Sequence, residues 1–193
     1  VGAFLLGVTG AIGAGKSTVC GVLAAHGWSV LDLDAVAAAA LVAQLPIVAQ
    51  HLPMVSSASG ALDKEALFAE VLCHPGRRAQ LTDLLRPDVM QRIRAWAEGL
   101  DGCGALDAAL LFEQGLDSFC QATLCVVCDH AERRQRVARR STASARHLEA
   151  LEAAQWPEAT KRARAQVVVS TDGSADQLPA RLRAALRTLN RSL

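Results

Sequence analysis

The sequence predicts an α/β fold built on a parallel sheet. Two observations carry this. An apolar segment, a glycine-rich loop, a helical segment and a second apolar segment follow one another from Ala3 to Asp34. Three further apolar segments later in the chain then alternate with helical or basic stretches. A β-loop-α-β unit is the building block of parallel sheets, because its crossover returns the chain in the same direction.

Each element has its own signal. The run from Ala3 to Val8 has the length and turn boundary of a buried strand. In "KSTVCGVLAAHG", Val19, Val22 and Leu23 share one helical face and Gly27 suits a C-cap. "WSVLDLD" reads as a short strand ending in acids. From Ala35 to about Gly99 the pattern is helical throughout, with "KEALFAEVL", "RRAQLTDLL" ending before Pro87, and "VMQRIRAWAEGL" as separate helices. Strand patterns resume at "GALDAALLF", "ATLCVVCD" and "AQVVVST", and an amphipathic helix is expected from about Ala175 to Leu189.

Composition narrows the class. The 193 residues suit one domain with small insertions, and 51% apolar content supports a folded core. Aromatics make up only 4%, so that core is built mainly from Ala, Leu and Val. A formal net charge of +1 creates no general field for nucleic acid or an anionic membrane, and neither partner is expected. Basic residues are nevertheless dense from Arg133 to Arg164, which suits a local anion site. The six cysteines lack framework spacing and fit reduced thiols. Cys125 and Cys128 form a CxxC inside an apolar strand pattern, with no second pair to complete a zinc site, and read as core residues. No basic segment precedes the first apolar run as in a signal peptide, and no stretch is long enough to span a bilayer. A soluble, cytoplasmic protein is expected. Nothing in the sequence sets an oligomeric state.

Gly10 to Ser17, "GAIGAGKS", match GxxxxGKS between a strand and a helix. Small residues there let successive amides approach phosphate oxygens, and the helix N-terminus adds positive potential. Lys16 reaches the outer phosphates and Ser17 can ligate magnesium. Asp32 and Asp34 close the second strand and could orient or deprotonate an acceptor hydroxyl, hold hydrated magnesium, or serve as helix-starting charges. Asp107, near the end of a later strand, suits a magnesium-supporting carboxylate. Glu113 suits either a site acid or a solvated loop acid. Arg136 and Arg140 share a helix face, as a phosphate-covering lid or an ordinary basic surface would. The histidines lack metal-ligand spacing, and no guanine-reading "NKxD" element follows.

With these residues together, the chain resembles the dephospho-CoA kinases nearly end to end. "LGVTGAIGAGKSTV" resembles the family opening, "VLDLD" its VIDAD, and "GALDKEAL" its GxLDRxxL turn. "LLRP" resembles its LLHP, and "DAALLFEQG" its DxPLLFExG. "EAAQ" at Gln155 and "VVVSTDGS" stand where the family has AxQ and a strand followed by NxG. The resemblance implies a five-stranded parallel sheet of P-loop NTPase type flanked by helices, with a helical acceptor insertion and a helical lid. The implied nucleotide core covers about 1–34, 104–130 and 165–193, the acceptor region about 35–103, and the lid about 131–164.

It further implies transfer of the ATP γ-phosphoryl group to the ribose 3′-hydroxyl of dephospho-CoA, with Mg2+. Asp34 would be the general base, with Lys16 and lid Arg140 also catalytic. Gly13, Ala14, Gly15, Lys16, Ser17 and Thr18 would hold the ATP phosphates. Asp32, Asp34, Arg86, Leu111 and Glu113 would face the acceptor, and Ser17 and Asp107 would serve the metal. The chain differs from the family pattern at Ala38, where a basic residue is frequent, and at Arg86, where the family has histidine. It differs again at Ala109 (proline), Ser141 (an acid) and Thr171 (asparagine). These changes keep two rivals in view: a kinase for another nucleoside or nucleotide, and an ATP-binding regulatory protein without catalysis.

Overall fold

The computed structural model describes residues 3–52, 63–140 and 148–191. Among them are five strands: β1 (Phe4–Gly10), β2 (Ser29–Asp32), β3 (Cys103–Asp107), β4 (Ala122–Val127) and β5 (Val167–Ser170). Nine α-helices accompany them among the described residues: α1 (Lys16–Ala25), α2 (Leu33–Ala43), α3 (Leu45–His51), α4 (Lys64–Cys73), α5 (Pro75–Glu98), α6 (His130–Arg140), α7 (Leu148–Ala153), α8 (Glu158–Arg164) and α9 (Leu178–Arg187). Short 3-10 turns lie at Leu116–Phe119 and Ala175–Gln177.

The strands form one wholly parallel sheet in the order β2-β3-β1-β4-β5. The glycine loop therefore leaves the central strand. From β1 the chain passes outward to β2, whereas from β3 it passes to β4 on the other side of β1. That reversal opens a crevice beyond the carboxyl ends of β1 and β3, the usual ligand position in such sheets.

Alternation along the strands sorts the two faces. Phe4, Leu6 and Val8 of β1 join Ala122, Leu124 and Val126 of β4 and Val167 and Val169 of β5 in one cluster. Val19 and Leu23 of α1 and Leu178, Leu182 and Leu186 of α9 cover it. On the opposite face, α8 contacts β4 and β1. There Gly7 makes room for the segment after β3, since a Cβ on it would lie 2.8 Å from Leu111 Cδ2.

Two expected elements take a different form. The apolar run "GALDAALLF" is a strand only to Asp107, and 108–115 form turns. Ala108 still donates to Val8 O, but Leu111 and Phe112 then bury themselves beside the sheet instead of extending it. The helix expected to stop before Pro87 runs through it as α5. Leu85, Val89 and Ile93, spaced four apart, form a buried stripe that spans the proline. The Asp83 carbonyl deprived of its partner belongs to an exposed residue, so water can satisfy it.

The chain divides into two compact units, Val1–Leu33 with Gly99–Leu193, and Asp34–Glu98. The second holds the helical stretch, where Asp63 caps α4 by accepting from the amides of Glu65 and Ala66. Most of the "GALDKEAL" turn before Asp63 lies outside the described residues. Among the described residues no single helix is long and apolar enough to cross a membrane, although the bent pair α2 and α3 reaches that length and composition together.

Because Pro87 costs α5 one hydrogen bond, Pro87→Ala is expected to stabilise the protein. The gain is about 2 kcal/mol after allowing for a freer unfolded chain. Thermal unfolding reads it as a raised melting temperature, and a lowered one would speak against a continuous helix.

Candidate active site

The cradle is shaped by carbonyls turned in one direction. Ile12 O accepts from Arg133 Nη1 at 3.3 Å, and Ala14 O accepts from the Thr171 hydroxyl at 2.6 Å. In a trans peptide the following N–H points the opposite way, so the Gly13 and Gly15 amides face away from these partners. Gly13 and Gly15 have φ values of 79° and 91°, the left-handed region that glycine adopts without strain. Gly15 also lacks a side chain to cap α1, whose first turn carries no acid. The N-terminal amides of α1 and the helix dipole are thus arranged to favour an anion.

Lys16 opens α1, and its ammonium forms an ion pair and hydrogen bond with Asp107 Oδ1. Asp107 ends β3, where it is in register with Val8 of β1 and Asp32 of β2. The pair joins the head of α1 to the carboxyl end of β3, where the strand order reverses. Cys20, one turn after Lys16, is buried close to Asp107. Burial and then the Asp107 charge push the Cys20 thiol well above the ordinary thiol range.

The start of α6 lies against the other side of the cradle. A Cβ on Gly13 would sit 2.9 Å from both Arg133 O and Val137 Cγ2. Arg133 is buried and ion-pairs with Glu152 of α7 at 3.3 Å and Glu158 of α8 at 3.9 Å. Arg136 donates to Thr171 Oγ1 and to Thr171 O, both at 2.8 Å, and to Glu132 Oε1 at 2.6 Å. Asp172, next in the chain, accepts from the Asp129 amide and the Ser170 hydroxyl, each at 2.7 Å. These hydrogen bonds, led by the Asp129 amide, hold its carboxyl below the ordinary carboxylate range.

The remaining expected residues are distributed as follows. Ser17 and Thr18 are exposed in the first turn of α1, and Ala14 is buried in the loop. Asp32 is exposed at the end of β2. Asp34 is exposed in the first turn of α2, and Arg86 is exposed on α5, both in the second unit. Leu111 is fully buried against Gly7. Glu113 ion-pairs with the buried Lys161 ammonium at 2.9 Å and accepts from the Trp156 amide at 2.8 Å. Arg140 ends α6, with its side chain outside the described residues, as Ser141 is. The sequence singles out none of Arg133, Thr171 and Lys161 as supports of this region. Only the density of basic residues hints at two of them, because their partners are distant in sequence.

Ser17 and Asp107 offer a hydroxyl and a carboxylate, a hard oxygen set that fits magnesium. One other group among the described residues could hold a metal, namely Cys128, Glu132 and Asp172, whose ligand atoms lie within 4.8 Å of one another. Its acids are already engaged by Arg136, Asp129 and Ser170. Cys125 and Cys128 are both buried, with thiols pushed up to about 11 chiefly by burial.

Strand order, glycine cradle and the lysine at the head of α1 define a P-loop kinase fold. The family model described as dephospho-CoA kinase matches residues 4–177. A dephospho-CoA kinase of Thermus thermophilus is 37% identical over 186 residues, covering 96% of this chain and 91% of that protein. The crystal structure of TT1252 from Thermus thermophilus superposes with a TM-score of 0.87 at 36% identity, covering 98% of this chain and 99% of that one. A dephospho-CoA kinase from Campylobacter jejuni has the same fold, with a TM-score of 0.63 at 15% identity and 97% coverage of each chain. The chain belongs to the dephospho-CoA kinase family.

Exposure and thiol acidity together set an order of reactivity. Cys73 is exposed, whereas Cys20, Cys125 and Cys128 are buried and stay protonated near pH 8. Iodoacetamide is expected to label Cys73 of the folded protein first, as read by peptide mass mapping. Earlier labelling of Cys20 would contradict its enclosure beside Asp107.

Proposed function

We propose that the protein transfers the γ-phosphoryl group of ATP to the ribose 3′-hydroxyl of dephospho-CoA, giving ADP and coenzyme A. The observation that carries this reading is the Lys16–Asp107 pair at the mouth of a glycine cradle, in a chain of this family.

The cradle amides from Gly13 to Thr18 bind the ATP phosphates, and Lys16 turns part of its donor capacity from Asp107 to the outer oxygens. Asp34 accepts or orients the proton of the attacking hydroxyl, in keeping with an exposed carboxylate just beyond β2. Asp32 and Arg86 contribute to acceptor binding, Arg86 through its positive charge. Leu111 and Glu113 act on the same side by fixing the course of the segment after β3. Arg140 supplies positive charge to the transferring group from the end of α6. Magnesium held by Ser17 and Asp107 supplies neutralisation of phosphate charge when bound.

We read the second unit as the acceptor region and residues 131–164 as the lid. The working compartment we infer is the cytoplasm, in keeping with six free cysteines.

The test is ADP formation with purified protein, ATP and magnesium against dephospho-CoA, adenosine and AMP, run with wild type and Asp34→Asn. Turnover is expected with dephospho-CoA, falling by about 10²- to 10⁴-fold in the variant while ATP binding persists. Turnover only with another acceptor, or tight ATP binding without transfer to any, would favour one of the two rival readings. Retained turnover in the variant would remove Asp34 as the base.

A further inference from the structure

Lys161 is fully buried, at 0% exposure, on α8. Its ammonium donates to Ala109 O at 2.6 Å and meets Glu113 Oε1 at 2.9 Å. Ala109 O also accepts from the Thr9 hydroxyl at 3.2 Å, and Thr9 directly precedes the cradle on β1. Glu113 Oε1 takes the Trp156 amide as well, while Glu113 Oε2 is buried without a hydrogen bond. The segment 108–113 is therefore clamped at both ends by one side chain. Gly7 supplies the space in which Leu111 presses that segment onto β1.

A buried ion pair is a poor device for stability alone, because desolvating two charges costs about as much as their attraction returns. What this one does is geometric. Ala109 stands two residues after Asp107, the partner of Lys16, so the Lys161 ammonium limits how Asp107 can move relative to the cradle. α8 itself carries Lys161, Arg162 and Arg164 and follows the basic α6 in the chain, so the same contact ties the end of that basic region to the reacting edge of the sheet.

We propose that Lys161 is a positioning residue for phosphoryl transfer, holding Ala109 and Glu113 so that Asp107 keeps its place beside Lys16. It rests on the proposed kinase activity, which supplies the signal. Misplacing reacting groups by about 1 Å costs on the order of 100-fold in rate.

Two variants separate positioning from stability. Lys161→Met is expected to lower kcat about 10- to 100-fold with KM for ATP changed less than about threefold, and to lower the melting temperature. Lys161→Met with Glu113→Gln leaves no orphaned charge, and the side-chain amide introduced with it can still accept from the Trp156 N–H. This double variant is expected to recover the melting temperature but to keep the low kcat, with KM for dephospho-CoA changed less than about threefold, whereas loss of an acceptor contact at Glu113 would raise that KM. Recovery of both kcat and melting temperature would overturn the proposal and leave a purely structural ion pair. If wild type itself does not phosphorylate dephospho-CoA, the kinase reading fails instead, so the two failures are distinguishable.

Discussion

The ion pair between Lys16 and Asp107 is the constraint on which the rest of the nucleotide-binding unit depends. Each partner is mostly removed from water, with side-chain exposures of 14% and 7%, so each charge offsets part of the other's desolvation cost. The pair forms only if β3 lies directly beside β1, with Asp107 level with Val8. It also needs the chain to turn from β1 into α1 within a few residues, which is what the glycines at 13 and 15 permit. Strand order, register and loop conformation are thus conditions for a single contact. An arriving phosphate would meet a lysine already held at the crevice.

Around that contact the structure braces the cradle from two sides. Arg133 and Thr171 fix its carbonyls, and Arg136 fixes Thr171 in turn. Lys161 and Thr9 fix the segment that follows Asp107. Buried polar groups of this kind lose free energy when a partner is withdrawn, so these contacts favour one arrangement of loop and helix. The braces reach the cradle from α6, from the loop after β5 and from α8, all late in the chain. A loop that reads as local in the sequence is held by residues more than a hundred positions away.

That distance explains what could be read from the sequence and what could not. Strands β1, β4 and β5 announced themselves as apolar runs, and the cradle by spacing and small residues. Pro87 misled because its local preference yields to the buried stripe of Leu85, Val89 and Ile93. The run ending in "AALLF" misled because apolar residues can bury in a turn as well as in a strand, and Gly7 provided the space. Asp107 was legible as a strand-end acid, but its pairing with Lys16 needed the strand order. Lys161 looked like one more member of a basic stretch. Its burial comes from the packing of α8 on β1 and β4, which no local pattern encodes.

The most direct measurement is made on the ion pair itself. Asp107→Asn keeps the shape of the side chain and removes its charge, so turnover, ATP binding and melting temperature can be followed on a protein of nearly unchanged packing. If Lys16 and Asp107 form the transfer centre, the variant still folds and binds ATP but loses at least about 100-fold in turnover of dephospho-CoA. Wild-type turnover in the folded variant would contradict it and move the reacting centre elsewhere in the molecule.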